Sequence, residues 1–178
     1  ERLQAMDDMG IYAQIAFQNS GVTQAGSLMS LGDDELALTI VKIYNDASAE
    51  IQEASGQRIF NMAHLPFWDK KAMDEEARRC YDMGLKGFVL PDTPERVGVP
   101  SFNYAHWDAV LEMCNATGMP LNFHLNSAVD PNTLTWEGFG FEQTLSVVAT
   151  MFSIGNAATL GNWMVSGRLD QYDKLKIG

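Results

Sequence analysis

The sequence predicts an α/β fold in which helices alternate with parallel strands, and three observations carry that reading. First, the segments RLQAMDDMGIYAQIAF, ARRCYDMGLKGFVLP and VLEMCNATGMPLNFHL share one grammar. In each, an apolar residue (Met6, Cys80, Cys114) lies four positions before a glycine (Gly10, Gly84, Gly118), and a short strand-like run follows. Glycine just past a helix takes a left-handed conformation at little cost and stops it. Second, strand-like runs near 11–17, 58–65, 86–90, 120–125 and 175–178 alternate with helical segments, which implies parallel strands and right-handed crossovers. Third, no GxGxxG or GxxxxGKS/T motif follows any of these runs. A doubly wound sheet and a (β/α)8 barrel both fit the alternation, but the missing motifs weaken the nucleotide-binding open sheet. A complete barrel takes about 250 residues. Residues 1–178 are therefore expected to form one incomplete (β/α)8 domain with roughly five of the eight strands.

The elements follow in order. Arg2 to Asp8 reads as a helix ended at Gly10. A longer helix is expected over Asp34 to Ala54, with Leu36, Ile40, Ile43, Ala47 and Ile51 turned inward. The strand from Arg58 to Leu65 ends at Pro66. Asp69 is placed to cap a helix whose stripe is Met73, Ala77, Cys80 and Met83, with Asp74, Glu75 and Glu76 assigned to a solvated face. Trp107, Val110, Leu111 and Cys114 form the next stripe. Leu121 to Leu125 is a strand. Beyond Pro131, a loop rich in Asn, Gly and aromatic residues leads into helical segments around Phe141 to Tyr172. Lys174 to Ile177 starts a further strand. Phe67, Trp68, Trp136, Phe139 and Phe141 are expected in ordinary packing.

Composition excludes several classes. The chain is 46% hydrophobic and 20% charged, as in ordinary globular domains. A net charge of −11 argues against a nucleic-acid groove or an anionic membrane surface, both of which call for basic patches. No apolar run is expected to span a bilayer, and no signal peptide is visible. Cys80 and Cys114 form no CxxC pair and read as small buried residues of a reduced, cytoplasmic protein. The start at Glu1 and the ending Leu175-Lys176-Ile177-Gly178 read as a fragment.

Chemistry concentrates at strand ends. In Leu121 to Leu125 side chains alternate faces, so Asn122 and His124 share one face and Leu121, Phe123 and Leu125 the other. Polar residues are unusual inside a barrel, and neutral imidazole is a common zinc ligand. A core histidine bonded to its neighbours is the commoner outcome for such a residue taken alone. His64 lies just before Leu65-Pro66 and either borders a substrate pocket or makes a structural polar contact; alternation leaves its face open. Asp92 either contacts substrate or caps the Thr93-Pro94 turn. Asn19, after the first strand, is a weaker substrate-binding candidate. His106 reads as a solvent or capping residue.

The whole chain resembles the amidohydrolase-related superfamily, in the branch containing aminocarboxymuconate-semialdehyde decarboxylase and γ-resorcylate decarboxylase. The resembling segments are RLQAMDDMGIYAQIAF, RIFNMAHLPFWDKKAMDEEARRCYDMGLKGFVLPDTP, FNYAHWDAVLEMCNATGMPLNFHLN and GRLDQYDKLKI. The third is the most specific: an aspartate-led helix, a glycine–apolar–proline turn, and a strand ending in histidine between apolar residues. The resemblance implies roughly strands 2 to 6 of the barrel, with His124 as the strand-5 ligand of a divalent metal, zinc being the expected ion. It implies hydrolysis or nonoxidative decarboxylation of a small organic acid, amide or ester, and it leaves a homo-oligomer open. The family's first-strand ligands, usually H-x-H or E-x-H, would precede Arg2, and its catalytic group after the sixth strand would follow Ile177. The alternative expectation is a catalytically inactive partial barrel that associates through its exposed edges.

Overall fold

The computed structural model describes residues 1–18, 26–124 and 136–178. Six α-helices, two short 3-10 helices and five strands appear among them. Helix α1 is Arg2–Asp8, α2 Asp34–Ala54, α3 Lys70–Asp82, α4 Asp108–Thr117, α5 Phe141–Val165 and α6 Arg168–Gln171. Strand β1 is Gln14–Ala16, β2 Ile59–Asn61, β3 Ala63–His64, β4 Phe88–Pro91 and β5 Leu121–His124.

The expected glycine stops are present. Gly10, Gly84 and Gly118 have φ of 69°, 85° and 73°, the left-handed region that an L side chain rarely adopts. Helix starts are equally local. Asp33 accepts from the Leu36 N–H, and Asp69 accepts from the Ala72 N–H, so each caps the helix that follows.

All strand pairings are parallel: β1 with β2, β3 with β4, and β4 with β5. Consecutive residues join the two ladders. The Met62 N–H donates to Ala16 O at 3.0 Å, and the Ala63 N–H turns the other way to Gly87 O at 2.9 Å. At the far side Leu121 bridges Ile177 in parallel, and the Phe123 N–H donates to Gly178 O at 3.0 Å. With β2 and β3 following end to end as one run, each run therefore lies beside its neighbour in sequence. The order does not reverse, as it would at the switch point of a doubly wound sheet.

One face of the sheet carries the core. Ala63, Leu65, Phe88, Leu90 and Leu121 pack with Met73, Ala77 and Cys80 of α3 and Val110, Leu111 and Cys114 of α4. Phe102 lies among Trp107, Phe123 and Trp163, with ring centroids 4.7, 5.1 and 5.1 Å away. Full burial of such side chains contributes about 1.5–3 kcal/mol each. Both cysteines are buried and free, and burial pushes the Cys114 thiol up to about 12. Arg168 fastens α6 to this core, donating to Phe102 O at 3.0 Å and to the Asp108 carboxylate at 2.7 Å.

Helix α2 has the expected bounds, but of its expected inward stripe only Ile40 packs inward, against Leu28, Ala37 and Val41, while Ala47 is exposed. Leu36, Ile43 and Ile51 are 47%, 64% and 45% exposed, while Asn45, Ser48 and Gln52 are buried beside Ala37 and Val41. The reason is the strand edge it covers. Strand β1 ends at Ala16 and pairs with β2, so among the described residues the backbone groups of β3 on that side need other partners. The Tyr44 hydroxyl donates to Met62 O at 3.3 Å, and the Asn45 carboxamide pairs with both backbone groups of His64. Gln52 donates to Gly84 O at 2.9 Å, and Ser55 Oγ accepts from the N–H of Arg58 and Ile59. Leaving a buried backbone group unpaired costs about 1–3 kcal/mol. Several such groups outweigh the burial of a few aliphatic side chains.

Other expectations also change. Glu76 is 3% exposed rather than solvated, because Asn45 and Arg79 both donate to it. His106 is part-buried, its Nε2 2.7 Å from Phe67 O and its ring edge-on to Trp107, so it bridges a loop instead of facing solvent. Trp136, Phe139 and Phe141 are 49%, 46% and 81% exposed, against the expectation of packing. Phe67 is buried, as expected of it. Helix α5 is 25 residues long, with a window of mean hydropathy 1.3. By length and composition it could cross a membrane, contrary to the expectation from the sequence, and 11% of that window is buried.

Replacing Asn45 by Ala should lower the unfolding free energy by about 2–4 kcal/mol, because both His64 backbone groups and Glu76 lose a partner. Ile43→Ser on the outward stripe should cost less than about 0.5 kcal/mol. Urea melts of the two variants check the inverted orientation: equal losses would contradict it.

Candidate functional site

The second face of the sheet holds the candidate site. His64 pairs in register with Val89, Val89 with Asn122, and Pro91 with His124. These residues alternate with the core residues Ala63, Phe88, Leu90 and Leu121, so His64, Asn122 and His124 share the face turned away from α3 and α4. The shared face assumed for Asn122 and His124 is found, and register resolves the face of His64 that alternation left open.

Small residues and one amide form the base of this face. Asn122 Nδ2 donates to Phe88 O at 3.0 Å and lies 3.2 Å from Met62 Sδ. A Cβ on Gly87 would meet that same sulfur at 2.6 Å, and one on Gly178 would meet Asn122 Oδ1 at 2.6 Å. The two glycines let Met62 and Asn122 close the surface beneath the imidazoles.

His64 is 7% exposed. Its backbone is held on both sides by Asn45: the N–H donates to Oδ1 at 2.9 Å, and O accepts from Nδ2 at 2.8 Å. Its ring stands edge-on to Tyr44 with centroids 5.1 Å apart. Burial, then the nearby charge of His124, pushes the His64 pKa down from 6.5 to about 4. His124 is half-buried and also lowered by burial, with the Asp92 carboxylate partly offsetting that shift. Nε2 of His64 and Nδ1 of His124 are both buried without a hydrogen-bond partner among the described residues.

Asp92, 2% exposed, follows the end of β4 directly. Its carboxylate accepts from the Thr93 hydroxyl at 3.2 Å, and its backbone carbonyl accepts from Thr159 on α5 at 3.3 Å. It is thus held between the turn and α5 while its charge reaches His124. Three of the four predicted site residues therefore influence one another at adjacent strand ends. Asn19 lies outside the described residues. Among those residues no group of three or more His, Cys, Asp and Glu is arranged to hold a metal ion. The partners that sequence reasoning missed are Tyr44, Asn45 and Glu76. Glu76 lies three residues from Met73 and four from Cys80, on the buried stripe, and that spacing was a usable signal.

Residues 4–160 match the amidohydrolase family, to which the chain belongs. Solved structures share the fold. The 5-carboxyvanillate decarboxylase of Sphingomonas paucimobilis superposes with a TM-score of 0.68 and 20% identity, over 99% of this chain and 49% of that one. The 2,6-dihydroxybenzoate decarboxylase of Rhizobium gives 0.66 and 22%, over 99% and 53%. The 5-carboxyvanillate decarboxylase of Novosphingobium aromaticivorans, complexed with manganese and 4-hydroxy-3-methoxy-5-nitrobenzoic acid, gives 0.72 and 22%, over 99% and 47%. The chain thus spans about half the length of these structures. No curated protein sequence matches it.

Two titrations test the electrostatics. The folded state keeps His64 neutral where the unfolded chain binds a proton, so its contribution is complete above about pH 6.5 and is lost as pH falls toward 4. The loss should be on the order of 2–3 kcal/mol. His64→Gln should show a correspondingly smaller drop in urea stability between pH 7 and pH 4.5; an unchanged drop would contradict the shift. Removing the negative charge with Asp92→Asn should push the His124 pKa lower still, read from its imidazole resonances.

Proposed function

We propose that the chain is part of a metal-dependent enzyme of the amidohydrolase family, built on a (β/α)8 barrel, and that His124 is one ligand of its divalent cation. The five parallel runs, in sequential order, correspond to roughly strands 2 to 6 of that barrel. The face carrying His64, Asn122 and His124 is then its interior. The observation that carries the reading is His124 at the C-terminal end of β5, with a buried imidazole nitrogen that meets no partner among the described residues. A desolvated, neutral imidazole at that position suits a metal ion. Further ligands would come from parts of the parent protein outside this chain.

When bound, a divalent ion would polarise a carbonyl, activate water or orient a carboxylate. The protein side is read from the residues. His124 stays neutral under the burial that lowers its proton affinity, which leaves a lone pair to donate. Asp92 opposes that lowering and so tunes how strongly the imidazole donates. His64, neutral at pH 7, can offer one hydrogen bond to a small substrate without adding charge. Asn122 shares the same face and can contact a polar group of the substrate.

All three of these structural neighbours are named as decarboxylases of aromatic acids, and one is complexed with manganese. They favour a small carboxylated acid as substrate and leave manganese beside zinc as the ion. Hydrolysis of an amide or ester is the other chemistry within this reading. The net charge of −11 supports a small-molecule substrate over a nucleic acid. A cytoplasmic setting and a homo-oligomeric state belong to the same proposal. A second reading, in which the chain alone is a non-catalytic piece that associates, draws on the exposed apolar residues of α5, among them Leu145, Leu160 and Met164.

Metal analysis of the full-length parent separates these readings. Bound divalent ion should be present in the wild type and fall to background in His124→Ala. A parent without metal, or a variant that keeps its metal, overturns the ligand assignment.

A further inference from the structure

We propose that Asn45 is a positioning residue for the candidate site: its buried carboxamide replaces a strand neighbour for β3, and Glu76, together with the His64 backbone, holds that carboxamide in the one orientation that keeps His64 beside His124. The inference rests on reading the His64–His124 face as the functional one.

The geometry is that of a surrogate strand. In a parallel sheet, alternate residues of a strand turn their N–H and C=O toward the same neighbour. On this edge those residues are Met62 and His64. Met62 finds Ala16 O through its N–H and the Tyr44 hydroxyl through its carbonyl. His64, two residues on, finds no backbone partner there among the described residues. Asn45 supplies both partners from one side chain, with Oδ1 at 2.9 Å and Nδ2 at 2.8 Å, and is itself 0% exposed.

A carboxamide can turn over and exchange its oxygen and nitrogen. Here it cannot do so without conflict. Nδ2 also donates to Glu76 Oε1 at 2.7 Å, and an ionised carboxylate accepts only. A reversed amide would set Oδ1 against Glu76 Oε1 and against His64 O, and would aim Nδ2 at the His64 N–H. Glu76 is kept ionised in its buried position. Burial alone would raise its pKa, but hydrogen bonds from Arg79 and Asn45 prevail and lower it. Arg79 donates through Nε to Oε2 at 2.8 Å and through Nη2 to Oε1 at 2.7 Å, and pairs with Asp46 of α2 as well. The order of dependence is therefore Arg79, Glu76, Asn45, His64. It passes from α3 through α2 to the strand end and finishes at the imidazole that also faces Tyr44.

The chain has three histidines, which makes an imidazole readout direct. Long-range ¹H–¹⁵N spectra near pH 7, assigned with His64→Gln and His124→Gln, report the tautomer and setting of each ring. The wild type should show His64 as a single tautomer. In Glu76→Gln, residue 76 keeps its size but loses its charge and gains a donor, so Asn45 Nδ2 loses its ionised acceptor while the His64 backbone still favours the same amide orientation. The two His64 ring-nitrogen shifts should then move from their wild-type values, with the His106 ring unchanged and the circular dichroism of the wild type retained. Asn45→Ala should move them in the same direction and further, at a greater loss of stability. If both variants lose stability while His64 keeps its wild-type ring signature, Asn45 is structural and the proposal is overturned. If Asn45→Ala does not fold, Glu76→Gln alone decides. The readout needs neither metal nor turnover, so it stands or fails apart from the metal analysis of His124→Ala.

Discussion

The Asn45 carboxamide is the contact on which the rest of the molecule depends. Strand β1 stops short of His64, and a parallel strand with an open edge must have its backbone groups paired or solvated. Helix α2 meets that need with a polar stripe turned inward. Tyr44, Asn45, Gln52 and Ser55 each bond to backbone, over a stretch from Met62 and His64 to the Gly84 turn and the start of β2. Its position follows from these bonds more than from apolar burial, and the aliphatic side chains of its other face are left toward solvent.

That constraint reaches the candidate site. With β3 held from the α2 side and paired with β4 on the other, His64 emerges on the face it shares with Asn122 and His124. The core on the opposite face, packed around Trp107, Phe88 and Leu121, fixes where β4 and β5 lie. Two imidazoles are thereby brought to the ends of the strands on either side of β4 in a desolvated setting, with Asp92 at the end of β4 close enough for its charge to matter. Burial disfavours their protonated forms, and one nitrogen of each ring has no partner among the described residues. This is the arrangement a ligand-binding face calls for, and in a purely structural role both nitrogens would be expected to find hydrogen bonds.

Much of this was legible beforehand. The three glycine stops, the caps at Asp69 and the end of β5 at His124 depend on chemistry within a few residues, and each is found where the spacing placed it. The bounds of α2 were equally readable, since Asp33 caps it and the helical pattern is long. Its orientation was not. An apolar stripe of Leu36, Ile43 and Ile51 competes with a polar stripe of Asn45, Ser48 and Gln52, and only the unfilled backbone groups of another strand favour the second. Glu76 misled for a similar reason. In a run of three acidic residues it resembles a solvated face until its partners, Asn45 and Arg79, are known.

The sequence by itself determined where helices stop, where strands begin and which residues stand at strand ends, because backbone conformation and capping are settled by near neighbours. Tertiary structure alone decided which face of α2 turns inward, which way His64 points, and that a carboxylate on α3 governs an amide on α2. Those outcomes join residues 19 and 31 positions apart. Their energies come from pairing groups that folding has already removed from water, and no local pattern encodes that pairing.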